Sequence, residues 1–200
     1  MRALTLIGRA GLGIACLFAA AAAAGCDDPV LDAEIAALGP EAAGVPPGPL
    51  HRPGQPCLVC HDGEGPAALV FGTAGTVFQD STDPAPLVSA LVQLTDQNMN
   101  VKTVETNCAG NFWVEAVDWT PTMPVHVQIV YGGSNTQMIS HMGKETSCAQ
   151  CHTGTVSPSS VGQVYLNSSP PTCMTVADCP TGWTCNTSNQ SCFPPASGCN

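Results

Sequence analysis

The chain has 200 residues, with 15 Asp and Glu against 5 Lys and Arg and a formal net charge of −10. So acidic a chain, with no basic patch and no nucleic-acid-binding motif, repels phosphate backbones and anionic lipid headgroups, which excludes nucleic acid as a partner. Twelve cysteines in a chain this short direct attention to export and to chemistry carried by sulfur.

Residues 1–25 read as a bacterial export signal. Arg2 and Arg9 form a basic start, Ala10 to Ala24 is an unbroken apolar and small-residue run, and Gly25-Cys26 follows at once. The run is too short and wrongly flanked for a stable membrane span. Ala23-Ala24-Gly25-Cys26 resembles a lipobox, although Ala23 stands where Leu is commoner. That resemblance makes Cys26 the lipidated first residue of an exported protein, anchored by acyl chains to the inner or outer membrane, in the periplasm or on the cell surface. The alternative is an ordinary signal peptide cut after the Ala run, which leaves Cys26 as a thiol. Arg2 and Arg9 depart with the leader, so three basic residues remain against all 15 acids, a net charge of about −12.

Residues 26–56 are rich in Ala, Gly, Pro and acid, with a short helix expected at Val30 to Leu38, and read as a tether. At its end stands Cys57-Leu-Val-Cys60-His61, in a first segment spanning residues 57–68; Gly63, Gly65 and Pro66 break any helix begun there. From residue 69 to 140 the pattern is all strand: 69–79, 87–95, 101–106, 112–117, 125–131 and 136–140, bounded by turn residues. Six short strands at hairpin spacing predict a mainly β fold, an antiparallel sandwich with its own core. Residues 141–156 hold a second pattern, Cys148-Ala-Gln-Cys151-His152, and residues 157–200 a tail with Cys173, Cys179, Cys185, Cys192 and Cys199 every six or seven residues.

A CxxCH pattern is the attachment signature of c-type haem: two thiols form thioethers with the porphyrin and the adjacent imidazole ligates the iron. Two copies imply two covalently bound haem c groups, held by Cys57 and Cys60 and by Cys148 and Cys151, with His61 and His152 as proximal iron ligands. The rival assignment is zinc or a dithiol redox pair. A zinc ribbon sets its CxxC knuckles about 15 to 20 residues apart, and a thioredoxin-like site needs a βαβ frame; neither is found. An even strand count would return the chain to its starting end and bring the two segments together.

Three histidines remain for the far side of the irons. His51 lies ten residues before His61, and His141 eleven before His152. Exchange between the halves, His141 to the first iron and His51 to the second, is sterically easier than reaching around one macrocycle. Each to its own segment, a Met ligand or an open position are the alternatives. Met138 and Met142 lie nearest a haem segment but read as core filling and exposed loop; His126 alternates out of phase with Val125, Val127 and Ile129 and faces solvent. Removing the leader, lipid and haem cysteines leaves Cys108, Cys173, Cys179, Cys185, Cys192 and Cys199, an even set able to form three disulfides in any of fifteen connectivities.

Two resemblances extend these readings. The progression Gly75-Thr-Val-Phe, then Pro86-Leu-Val-Ser-Ala-Leu-Val-Gln-Leu-Thr-Asp, then Thr106-Asn-Cys-Ala-Gly-Asn-Phe-Trp resembles the carboxypeptidase-regulatory or transthyretin-like β-sandwich over about 70 residues. It implies a non-catalytic scaffold. The paired CxxCH segments resemble those of multihaem (dihaem) c-type cytochromes. Together they imply a membrane-tethered electron carrier exchanging single electrons with redox proteins, basic-patched ones suiting its charge. The alternatives are an adhesion or assembly lipoprotein in which haem is structural or sensory, and a dihaem peroxidase-like enzyme.

Overall fold

A computed structural model describes residues 28–45, 47–81, 85–154, 156–167, 171–188 and 190–193. The leader and Cys26, on which export and lipidation rest, lie outside the described residues, as does Cys199. The fold is mainly β, with 31% strand and 12% helix. The described residues fall in two units divided after Ala37. The first holds helix α1, Pro29–Ala37, whose start is capped by the Asp28 carboxylate accepting the Val30 N–H at 2.9 Å. No helix among the described residues is long and apolar enough to cross a membrane.

Among its described residues the second unit carries a one-turn helix α2, Leu58–His61, and then ten strands: β1 Phe71–Thr76, β2 Phe78–Asp80, β3 Leu91–Thr95, β4 Val101–Glu105, β5 Asn111–Glu115, β6 His126–Tyr131, β7 Ser134–Gln137, β8 Tyr165–Asn167, β9 Thr184–Asn186 and β10 Ser191–Phe193. A four-stranded antiparallel sheet runs β4-β3-β6-β7, while β1 pairs antiparallel with β5. The alternation of β3 turns Val92 and Leu94 inward, both fully buried; Ile129 of β6 joins them, and Phe112 and Val114 of β5 meet the same core. The predicted strand 69–79 is divided at Val77, and its second half, β2, pairs parallel with β8. β8 itself was not expected, because three residues between Ser- and Gly-rich stretches give too short a signal. The strand expected from residue 87 begins at Leu91, since Ser89 turns the chain at φ 58°.

Asp96 holds the β3–β4 turn. Its buried carboxylate accepts the Asn98 and Asn100 N–H groups at 2.9 Å each and the Asn100 side-chain amide at 3.1 Å. Desolvation opposes ionisation here, but the Asn100, Thr122 and Asn98 donors outweigh it and hold the carboxyl below its ordinary value of 3.8. A lowered folded pKa adds stability that is present above pH 3.8 and lost as pH falls through the folded value. Asp96→Asn is therefore expected to unfold at lower temperature than the parent at neutral pH, the gap closing below pH 3.8; thermal unfolding across pH checks this.

Cys173–Cys185 and Cys179–Cys192 cross-link the tail, and Cys108 is also disulfide-bonded. In a segment too short to bury a core, these bonds set Trp183, 2% exposed, against the main core, with its indole N–H donating to the Gly132 carbonyl at 3.3 Å.

Candidate functional site

Both CxxCH segments pack on strand β1. The Ala74 N–H of β1 donates to the Thr146 carbonyl at 3.2 Å, and Ala74 bridges to Ser147, which sets the 3₁₀ turn Cys148–Gln150 beside the strand. Gly75 makes this approach feasible: a Cβ there would lie 2.6 Å from the Cys148 sulfur. α2 packs on the same strand, and Cys57 and Cys148 are near enough for their charges to interact. The two segments, 91 residues apart, thus share one strand.

None of Cys57, Cys60, Cys148 and Cys151 is in a disulfide. Burial pushes the Cys57 thiol up to about 11, a backbone N–H partly opposing it and Cys60 adding to it. Burial likewise raises Cys148 to about 12, with Cys57 contributing. Desolvation raises Cys60 as well, with Arg52 pulling the other way. Redox-active dithiols depend on depressed thiol pKa values, whereas Cys57, Cys60 and Cys148 are raised. Nor do the motif donors converge on an ion. Among the described residues the only cluster of three or more His, Cys, Asp or Glu ligand atoms close enough for one metal is Cys173, Cys179 and Cys185, all in disulfides.

The histidines are held in matching ways. His61 Nδ1 lies 2.8 Å from the Leu69 carbonyl, and His152 Nδ1 lies 2.9 Å from the Gly162 carbonyl. A carbonyl only accepts, so in each ring Nδ1 carries the proton and Nε2 keeps its lone pair. That is the tautomer an Nε2 metal ligand needs, fixed by a backbone partner. His61 is further clamped by Phe71, whose ring stacks on it at 4.0 Å and 6°, and Trp113 stacks behind Phe71 at 5.7 Å.

Residues 38–45 and 47–56, part of the expected tether, form a strap over the first segment. Arg52, at φ 49°, gathers it: Nε donates to Glu41 at 2.9 Å, and the other guanidinium nitrogens donate to Gln55 and to the carbonyls of Leu38 and Gly39. Asn111 of β5 then donates to the His51 carbonyl at 2.9 Å, and Asn107 to the Pro49 carbonyl at 2.6 Å. Composition showed the strap's shortage of large apolar residues and hid these polar anchors. Beneath it lies a cavity of about 390 Å³, lined among others by His51, Arg52, Cys57, Cys60, His61 and Trp113. This falls within the roughly 300 to 1,000 Å³ common for cofactor sites.

The other candidates are distributed as follows. His51 faces this cavity, its ring 5.9 Å from that of His61, and its Nδ1 accepts the Gly48 N–H at 3.2 Å. His141 is exposed and lies 6.0 Å from His126. Met142 is buried in the core, where the sequence suggested an exposed loop, because Val125 and Met142 pair as an isolated bridge. Phe71 and the Leu69 and Gly162 carbonyls went unnoticed in the sequence. Phe71 could have been suspected as an aromatic ten residues past His61; a backbone carbonyl leaves no sequence signal. Compared with known proteins, the chain matches no family model, no curated protein and no solved structure.

Proposed function

We propose that this protein is an exported, lipid-anchored dihaem c-type cytochrome that carries single electrons between redox proteins. The observation that carries the reading is the matched tautomer of His61 and His152. Each stands directly after a pair of thiols outside any disulfide, with Nδ1 on a backbone carbonyl and Nε2 available. Cys57 and Cys60, with His61, would hold one group, and Cys148 and Cys151, with His152, the other. The cavity under the strap supports the fit at the first segment. At the second, Val156 and Val161 are 78% and 66% exposed beside the loop that anchors His152, an apolar surface suited to a macrocycle.

Bound haem supplies a one-electron iron couple whose potential the protein tunes. The residues of this chain orient and shield it: the Leu69 carbonyl and Phe71 fix the His61 ring, and the strap limits water at the first segment. The packing of β5 and the four-stranded sheet around one core supports a β-sandwich scaffold of the carboxypeptidase-regulatory or transthyretin-like kind. Both segments then stand on one strand of that scaffold, which favours electron exchange between them. The acidic surface suits basic partners at low ionic strength.

Because His51, and not His141, shares the cavity with His61, His51 is the residue that would complete the ligands of a haem iron at the first segment. For Nε2 to ligate, the ring proton would move from Nε2 to Nδ1, which would break the hydrogen bond that Nδ1 accepts from the Gly48 N–H. His51→Ala is expected to turn one of two low-spin haems high-spin with haem content unchanged, read in the absorption and electron paramagnetic resonance spectra. An unchanged spectrum removes the assignment. Two six-coordinate haems that bind no cyanide support the electron carrier; a high-spin haem in the parent that binds cyanide and consumes peroxide supports the peroxidase-like alternative.

A further inference from the structure

His126 and His141 lie apart from the cavity lining and have a geometry of their own. The Val125 N–H donates to the Met142 carbonyl at 3.1 Å, and the Met142 N–H donates back at 2.8 Å. This reciprocal pair fixes the residues next to His126 and His141, and residues 139–141 loop out between it and the Met138 N–H to Val127 carbonyl bond, which lets the His141 ring meet that of His126. Both residues are exposed, and the rings meet edge to face with centroids 6.0 Å apart at 64°. The rings of His51, His61 and His152 are each engaged by backbone. Among the described residues, no hydrogen bond engages a ring nitrogen of His126 or His141.

We infer that His126 and His141 form a surface chelate for a divalent transition metal. Metal–nitrogen bonds of about 2.0–2.1 Å put the centroids of two ligating imidazoles about 4.5 to 6 Å apart. The observed separation is at the upper end of that span, so rotation of two exposed side chains closes it without moving the clamped backbone. Imidazole suits copper, nickel and zinc, and Cu(II) binds such a pair most tightly of the first-row divalent ions. The excess of 15 acidic over 5 basic residues favours the approach of a cation. Water would fill the remaining coordination positions, leaving the ion open to exchange.

The test is a Cu(II) titration of the full matured chain after its accessible thiols are alkylated, followed by electron paramagnetic resonance. One copper per chain is expected, with hyperfine structure from two imidazole nitrogens. His126→Ala or His141→Ala should each remove one nitrogen and weaken binding at least about tenfold. Since both side chains are exposed, the variants should keep the parent's circular dichroism. Absence of saturable binding, or binding of equal strength and spectrum in both variants, overturns the proposal. The outcome is independent of haem content, because neither residue lines the cavity at the first segment.

Discussion

Replacing Cys57 and Cys60 together with Ser is expected to reduce the covalently bound haem of the matured protein from two to one. A Ser hydroxyl is close in size to a thiol but cannot form the thioether, so on the proposed reading the change would remove attachment while leaving the surroundings intact. The Leu69 carbonyl still holds His61, and the Asn107 and Asn111 amides still hold the strap. The same exchange at Cys148 and Cys151 should also leave one haem, although Cys148 presses on Gly75 and the oxygen there would be more buried. Denaturing gels stained for haem, with mass measurement of the intact chain, give the count. A pair of variants that each retain both haems would show that the thiols are not the attachment points.

Phe112→Ala carries the largest expected stability effect. Phe112 is 2% exposed, belongs to the main core and also lines the cavity, so its ring joins the β1–β5 pair to the four-stranded sheet. Removing a buried Phe costs about 3–5 kcal/mol, partly in lost transfer energy and partly in the void left behind. Against a typical total of about 5–15 kcal/mol, that is a third or more of the stability of many domains. Urea unfolding with the disulfides kept oxidised should show a lower midpoint at unchanged slope. Phe112→Leu, which refills much of the volume, should lose less. Equal midpoints for Ala and parent would remove Phe112 from the core account.

The sequence revealed the strands well where alternation was long enough to read. Val92 and Leu94 point inward from β3 as their spacing requires, and turn residues mark most ends of β3 to β7. It revealed less where structure depends on one distant partner. β8 exists because three residues pair with β2, and the strap is folded because Asn107 and Asn111 reach carbonyls about 60 positions away. Periodicity carries no trace of either. In the site, the thiols and histidines were legible from their spacing, whereas the His61 and His152 tautomers depend on the carbonyls of Leu69 and Gly162. Any residue offers a carbonyl, so composition cannot mark those two. The choice between His51 and His141 likewise depends on folding. The strap brings His51 to the cavity, and the Val125–Met142 bridge brings His141 to His126.

The most direct test of the central claim is the cofactor content of the full chain produced in a bacterium with haem-attachment machinery, read by intact mass and by absorption after denaturation. The account predicts two haems per chain that survive denaturation. A chain carrying zinc, or four unmodified thiols and no haem, would contradict it.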